Sequence, residues 1–477
     1  MAPASDEGAK VSGLLLSGLN DVVGPIVNSM AYNDTVLSTA ADVLHVGALR
    51  HPGGTVANYW SLVNGSYVGC DGTTRGCKCS PYWDYCKHSP PETPPADHGF
   101  SAANFLAAPV GQRTIVFDVN VFSLSPKGTL AQLRYLHRVA ARRVERIELG
   151  NEFYLPVYAW RINSTAEYID RIRPVVALAR ALFPGVRIAA VANAKHGAWN
   201  AALAQHRDLY DAVTVHKYSP SNKTIAALPE SERLSALAGW GAESYRSIAS
   251  ELLVDWPDGI EVWRTEYNYP SWGSGYPLPE LANGALHGMY WASNVLSAIS
   301  YTLATNYSKV KFPVVMLHLM IDQIGVGWGA RSGIVRVAGA GDVEAMRVNG
   351  LAQIFSHFAR VSSAGMVWPL APSKGCGMTT IRGFPATECL MGALFDSHVV
   401  VLNRCSGTET STLPVAVRSS LRYSASDAGG WGPLPDDPDI LPWSTGPLDA
   451  QVWRSENPNG KNEVELPGLT LSFFARA

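Results

Sequence analysis

Arg146-Ile147-Glu148-Leu149-Gly150-Asn151-Glu152 reads as a short strand that runs into a glycine, then an amide and a carboxylate. It lies between two helical patterns, Thr129–Arg142 and Thr165–Leu182, whose apolar residues recur at three- and four-residue spacing. The same alternation continues outward in both directions. Strands are predicted at Gly13–Ser17, His45–Leu49, Thr114–Val119, Arg146–Leu149, Val186–Ala192, Ala212–His216, Gly259–Arg264 and Phe312–His318. Eight short strands separated by helices predict an α/β chain folded as a (β/α)8 TIM barrel.

A barrel of about 250 residues leaves much of the chain over. Beyond about Arg336 one more helix, Val343–Val361, gives way to strand-like runs at Gly365–Pro369, Met391–Asn403, Thr412–Ala416, Gln451–Arg454 and Leu469–Ala475. Turns rich in Gly, Pro and Ser separate them, which predicts a C-terminal antiparallel β-sandwich. The expected division is a barrel over residues 10–336 and a sandwich over 337–477 that begins with a helix closing the barrel. An insertion at about 59–109 follows the second strand and therefore sits over the C-terminal face of the barrel.

Composition narrows the possible partners. Lys+Arg 38 against Asp+Glu 40 gives a net charge of -2, and no Lys/Arg run announces a nucleic-acid groove. No apolar stretch reaches the roughly 18–20 residues of a membrane span. The insertion holds Cys70, Cys77, Cys79 and Cys86, bounded by Gly, Pro and Thr, which reads as a disulfide-stapled loop. A zinc site built on Cys77, Cys79 and the nearby His88 is the competing reading. Downstream, Cys376 and Cys389 are the expected bridge. Sequons stand at Asn33, Asn64, Asn163, Asn222 and Asn306. Together these features predict a secreted, extracellular or lysosome-like glycoprotein whose signal peptide has been removed, since the first residues are too polar to be one.

Barrel enzymes carry their chemistry at the C-terminal ends of the strands. Strand four ends at Glu152, a carboxyl placed to protonate a leaving-group oxygen, with Asn151 beside it to hold a sugar 2-hydroxyl. Strand seven ends Val262-Trp263-Arg264-Thr265-Glu266, and Glu266 is placed to attack an anomeric carbon. Each Glu alone also suits an ordinary surface charge. As a pair facing each other across the barrel mouth, they meet the requirement of a retaining glycosidase, the negative Glu266 keeping Glu152 protonated. His216 and Tyr218, at the end of strand six, point the same way by alternation, and Tyr218 is placed to orient Glu266. Strand two ends Arg50-His51-Pro52-Gly53-Gly54-Thr55, where Arg50 braces the carboxylates from below and Thr55 faces substrate. No Walker loop, Gly-x-Ser-x-Gly or His-Glu-x-x-His occurs, and the scattered histidines predict neither a catalytic metal nor a cofactor.

These strand ends, in this order, resemble clan A glycoside hydrolases, and most closely the heparanase and β-glucuronidase family. Glu148-Leu149-Gly150-Asn151-Glu152 is similar to its acid/base motif, Asp211 through Tyr218 to its sixth strand, and Trp263-Arg264-Thr265-Glu266 to its nucleophile strand. The resemblance spans roughly Val46 to Val361. It implies Glu152 as acid/base, Glu266 as nucleophile, and a uronic acid bound after the nucleophile, here by Trp272, Gly273, Ser274, Gly275 and Tyr276. The basic clusters that heparanase lays along sulfated chains have no counterpart. The implied activity is thus an exo-β-glucuronidase acting on an oligo- or polysaccharide. Arg50-His51-Pro52-Gly53-Gly54 also suits another clan A specificity, an α-L-arabinofuranosidase or β-xylosidase. A catalytically inactive glycan-binding relative is the reading from a different class, and the presence of both Glu152 and Glu266 speaks against it.

Overall fold

The computed structural model describes residues 1–3, 8–10, 13–20, 31–68, 100–218, 225, 227–268, 285–303, 309–318, 320–323, 335–337, 347–348, 350–363, 365–371, 378–379, 387–424, 432–433, 451–453 and 463–476. Eight parallel strands close a barrel in chain order: β1 (Leu15–Asn20), β2 (Ala48–His51), β3 (Thr114–Asp118), β4 (Arg146–Glu148), β5 (Arg187–Val191), β6 (Ala212–His216), β7 (Ile260–Tyr267) and β8 (Val310–Leu317). Helices α1 (Thr35–Val43), α2 (Pro126–Ala140), α3 (Thr165–Leu182), α4 (Ala198–Ala204), α5 (Glu230–Asp255), α6 (Ala285–Leu303) and α7 (Gly350–Val361) complete the α/β layers.

All eight predicted strands form, with shifts at their ends. β2 starts at Ala48 rather than His45 because His45 takes a positive φ of 50° in the turn after α1. α3 matches its predicted range, and the reason is local. The Ser164 hydroxyl accepts the Glu167 N–H, while Glu167 accepts the Asn163 N–H at 2.9 Å. α7 begins at Gly350 rather than Val343, since Arg347–Val348 belongs to a strand.

Alternation sorts each barrel strand into an outer and an inner face. Leu15, Ala48, Val116, Ala189, Ala212, Trp263, Val314 and Met316 form an apolar interior plug. Trp263 is its largest member, and the alanines of β2, β5 and β6 leave the room its indole requires. The outward residues merge with the helices into one continuous core.

The second domain is built on an antiparallel sheet of β9 (Met366–Ala371), β10 (Leu390–Phe395), β11 (His398–Asn403), β12 (Val417–Ser424) and β13 (Thr470–Arg476), ordered β9-β10-β11-β13-β12. Met391–Asn403, expected as one run, is a hairpin turning at Asp396-Ser397. One face of the sheet packs on α7, with Phe358 against Phe395 at 5.6 Å and His357 against Phe473 at 4.3 Å. The other face joins the strand pair Glu409–Thr412 and Glu463–Leu466 through Leu370, Leu390, Val399, Val401 and Leu466. Ala2–Pro3 and Ala9–Lys10 pair with β9, so the first residues belong to this sheet.

The expected Cys376–Cys389 bridge is corrected: Cys389 is bonded to Cys405, with their Cα atoms 5.2 Å apart. The β10–β11 pairing of Leu390 with Asn403 brings the residues flanking the hairpin together, and that pairing selects the partner. Cys376 lies outside the described residues, as do Cys70, Cys77, Cys79 and Cys86. Cys405→Ser is expected to lower the unfolding free energy by roughly 3 kcal/mol for a loop of this length. Urea titration under oxidising conditions checks this, and an unchanged midpoint would contradict it.

Candidate active site

A layer of charge lies directly above the apolar plug. Arg50 follows Ala48 on the inner face of β2, Asp118 follows Val116 on β3, and Glu148 closes β4. The Arg50 guanidinium is completely buried and gathers them. Its Nε donates to Glu148 Oε2 at 2.7 Å, its Nη2 to Asp118 Oδ2 at 2.9 Å and Asn151 Oδ1 at 3.1 Å, and its Nη1 to Glu266 Oε2 at 3.2 Å. Burial disfavours the charge of Arg50, yet Glu148, Asp118 and Glu266 raise its pKa and keep it protonated. Arg50 touches the carboxylates of Glu148, Asp118 and Glu266 and is closed to solvent.

Glu266 reaches this layer only through an irregularity. Trp263 points inward, and simple alternation would send Glu266 outward with Arg264. Between Trp263 and Tyr267, however, β7 carries one more residue than either neighbour: Thr214 pairs with Trp263 and His216 with Glu266, while Arg264 pairs with Val315 and Tyr267 with Leu317. This bulge turns Glu266 into the mouth. Arg264 stays on the outer side, donating to Asn294 and to the Lys217 carbonyl between the rings of Tyr245 and Tyr267. It thereby ties the end of β6 to β7 beside the bulge.

Glu152 is placed by a strained turn. Gly150 has φ +86°, where a Cβ would lie 2.3 Å from the Phe153 ring. Glu152 itself has φ +55°, a conformation that costs an L-residue of order 1–3 kcal/mol. The surrounding bonds enforce it. The Gly150 N–H donates to Asp118 Oδ1 at 3.1 Å, and Asn151 exchanges backbone bonds with the Asn58 side chain at 3.0 and 2.8 Å. Asn151 Nδ2 is buried with no protein partner.

His216 joins the two carboxylates. Its Nδ1 lies 3.1 Å from Glu152 Oε1 and 3.5 Å from Glu266 Oε2, and its Nε2 is 3.2 Å from Thr265 Oγ1. The Tyr218 hydroxyl donates to Glu266 Oε1, and the Tyr154 hydroxyl donates to Glu152 Oε1 at 3.4 Å. His318 Nε2 lies 3.8 Å from Glu266. Burial works against a charge on Glu266, but His318, His216, Arg50 and the Tyr218 hydroxyl outweigh it and hold the carboxyl at about 2. Burial lowers the pKa of His318, whereas the neighbouring carboxylates raise that of Arg50. Burial and the Glu266 charge keep Tyr218 protonated as a donor.

The predicted Asn151, His216, Tyr218 and Arg50 therefore converge on Glu152 and Glu266. Thr55 lies at the rim and accepts from the Tyr158 hydroxyl at 3.2 Å. Trp272, Gly273, Ser274, Gly275 and Tyr276 lie outside the described residues, as do Asn222 and Asn306. Asn33, Asn64 and Asn163 are exposed. The sequence reading gave no role to Asp118, Glu148, Tyr154, Thr265 and His318. Parity was the available signal for two of them, because Asp118 follows Val116, and His318 follows Val314 and Met316, at even spacing. Among the described residues, no group of three or more His, Cys, Asp or Glu is set to hold a metal ion.

Arg50→Met leaves three buried carboxylates without their cation and is expected to cost roughly 3–5 kcal/mol. The pH dependence has a fixed sign. Glu266 is depressed to about 2 in the fold, against about 4.3 unfolded. Its stabilising contribution is therefore complete above about 4.3 and is lost as pH falls towards 2. Urea unfolding of both proteins between pH 3 and pH 7 should show a gap that narrows on acidification; a constant gap would exclude this coupling.

No protein-family model and no curated sequence matches the chain. Solved structures do. A family 51 α-L-arabinofuranosidase from Bifidobacterium longum superposes with a TM-score of 0.70 at 13% identity, covering 100% of this chain and 97% of its own. An α-L-arabinofuranosidase from Thermotoga maritima gives 0.64 at 11% identity, with 98% of each chain covered. A family 39 β-xylosidase from Caulobacter crescentus gives 0.54 at 12% identity, covering 99% of this chain and 98% of its own. The shared feature is the fold. All three are glycoside hydrolases, and they match the whole chain, barrel and C-terminal sheet domain together. At these identities the likeness speaks for architecture.

Proposed function

We propose that the chain is a retaining glycoside hydrolase in which Glu266 attacks the anomeric carbon and Glu152 serves first as acid and then as base. The observation that carries this reading is the shared His216 Nδ1, 3.1 Å from one carboxylate and 3.5 Å from the other. Their facing oxygens are no farther apart than the sum of those distances. That bound suits a retaining pair at roughly 5–5.5 Å better than an inverting pair at roughly 6.5–9.5 Å. In the first step Glu266 forms a glycosyl ester while the Glu152 proton passes to the departing oxygen. In the second, Glu152 takes a proton from water, which attacks the anomeric carbon and frees the Glu266 carboxylate. The unpartnered Asn151 Nδ2 is available for the 2-hydroxyl, a bond that tightens as the ring carbon gains charge.

For the sugar, our reading is a neutral pentoside rather than the glucuronide expected from the motifs. Arg50, the permanent cation beneath the carboxylates, is buried and engaged by four acceptors, so it offers nothing to a uronate. The arabinofuranosidases and the β-xylosidase among the structural matches point the same way. A uronate would depend on Trp272–Tyr276. Hydrolysis of aryl α-L-arabinofuranoside, β-xyloside and β-glucuronide by the same preparation tests the choice. Turnover of the pentosides alone supports it, and turnover of the glucuronide alone restores the other reading. The Cys389–Cys405 bridge and the exposed Asn33, Asn64 and Asn163 sequons support an oxidising, extracellular setting.

A further inference from the structure

Trp160 is exposed over 49% of its surface, and among the described residues the other exposed large hydrophobic side chains are valines. A scattered surface apolar residue needs no explanation. Trp160 differs in its place. It belongs to the segment that leaves β4 on the C-terminal face, carries Glu152 and returns as α3, and Val157 on the same segment is also exposed.

The support under it is rigid. Phe122, from the loop after β3, packs against Trp160 at 5.1 Å edge to face, stacks on Phe153 at 5.6 Å, and meets Tyr158 and Tyr59 at 5.3 and 5.5 Å. All four supporting rings are buried. Phe153 directly follows Glu152, so two ring contacts connect the acid/base to Trp160. Arg171 from α3 donates to the Val121, Phe122 and Arg161 carbonyls and locks the two loops together. The Arg161 guanidinium lies 5.9 Å from the Trp160 ring. A buried aromatic cluster thus surfaces at one indole, with a cation beside it.

We propose that Trp160 is the platform of a leaving-group subsite, stacking on the sugar ring beyond the cleaved bond while Arg161 meets that ring's hydroxyls. This rests on the reading of Glu152 as acid/base. Glu152 gives its proton to the oxygen that departs, so its own loop borders the departing sugar, while Glu266 on β7 attacks from the other side. The occupant is a neutral sugar of a glycan chain: the indole offers a flat apolar face for ring C–H groups, and the guanidinium offers donors for hydroxyls.

The experiment compares Trp160→Ala with the parent protein on two substrates sharing the glycone that the aryl panel identifies. One is the glycosyl fluoride, whose leaving group has nothing to stack; the other is an oligosaccharide with a sugar leaving group. The expected result is a loss of kcat/KM on the order of 10-fold for the oligosaccharide and none for the fluoride, with Trp160→Phe keeping most of the activity. Equal loss on both substrates would make Trp160 a structural brace and overturn the subsite. No loss on either would do the same. Parent turnover of the fluoride is the separate check on the reaction itself, since a protein inactive on every fluoride fails there first.

Discussion

Glu266→Gln is expected to lower kcat by at least about 10,000-fold while leaving the fold intact. The substitution keeps the shape of the side chain and removes the charge around which Arg50, Tyr218 and His216 are arranged. A neutral amide has no lone pair fit to form the ester, so the first chemical step loses its partner outright. A loss of that size corresponds to roughly 5 kcal/mol of transition-state stabilisation. Glu266→Ala opens space for an external nucleophile, and azide should restore turnover with an activated aryl glycoside, giving a glycosyl azide of inverted anomeric configuration. More than a few per cent of activity in Glu266→Gln would show that another group attacks the sugar.

Glu152→Ala is expected to fail in a different pattern, because the proposed mechanism has it move a proton rather than form a bond to carbon. With a poor leaving group such as a sugar, kcat/KM should fall about 100- to 10,000-fold. With a good leaving group such as dinitrophenol, the first step no longer needs the acid and should be nearly preserved. The second step still lacks its base, so the glycosyl-enzyme should accumulate and KM should drop. Azide needs no base and should accelerate this variant, yielding product of retained configuration. Loss independent of the leaving group would assign Glu152, with its φ of +55°, a structural part and would send the search for the acid to Tyr154, whose hydroxyl donates to Glu152 Oε1.

Much of the site was legible from strand ends. Glu152 follows a short strand and a glycine, Glu266 ends an aromatic-bearing strand, and His216 and Tyr218 share a face; each of these signals lies within a few residues. Asp118 and His318 were readable by the same parity and needed only that each strand be followed to its end. Glu148 was harder to judge, since a carboxylate in a buried strand makes sense only once a cation is known to sit opposite. That cation, Arg50, comes from a strand almost a hundred positions earlier.

Sequence by itself determined the eight strand-helix alternations and the β-rich segment that follows them, and it singled out Glu152 and Glu266 as strand-end carboxylates. These follow from periodicity and residue type, which act over single turns and strands. Tertiary structure alone decided the rest. The bulge in β7 appears only when its register is compared with β6 and β8, and without it alternation would send Glu266 away from the mouth. The choice of Cys405 over Cys376 as the partner of Cys389, and the pairing of the first residues with β9, depend equally on which strands meet. Pairing between distant segments is set by the closure of the barrel and the burial of its faces, and neither is written in any one stretch of chain.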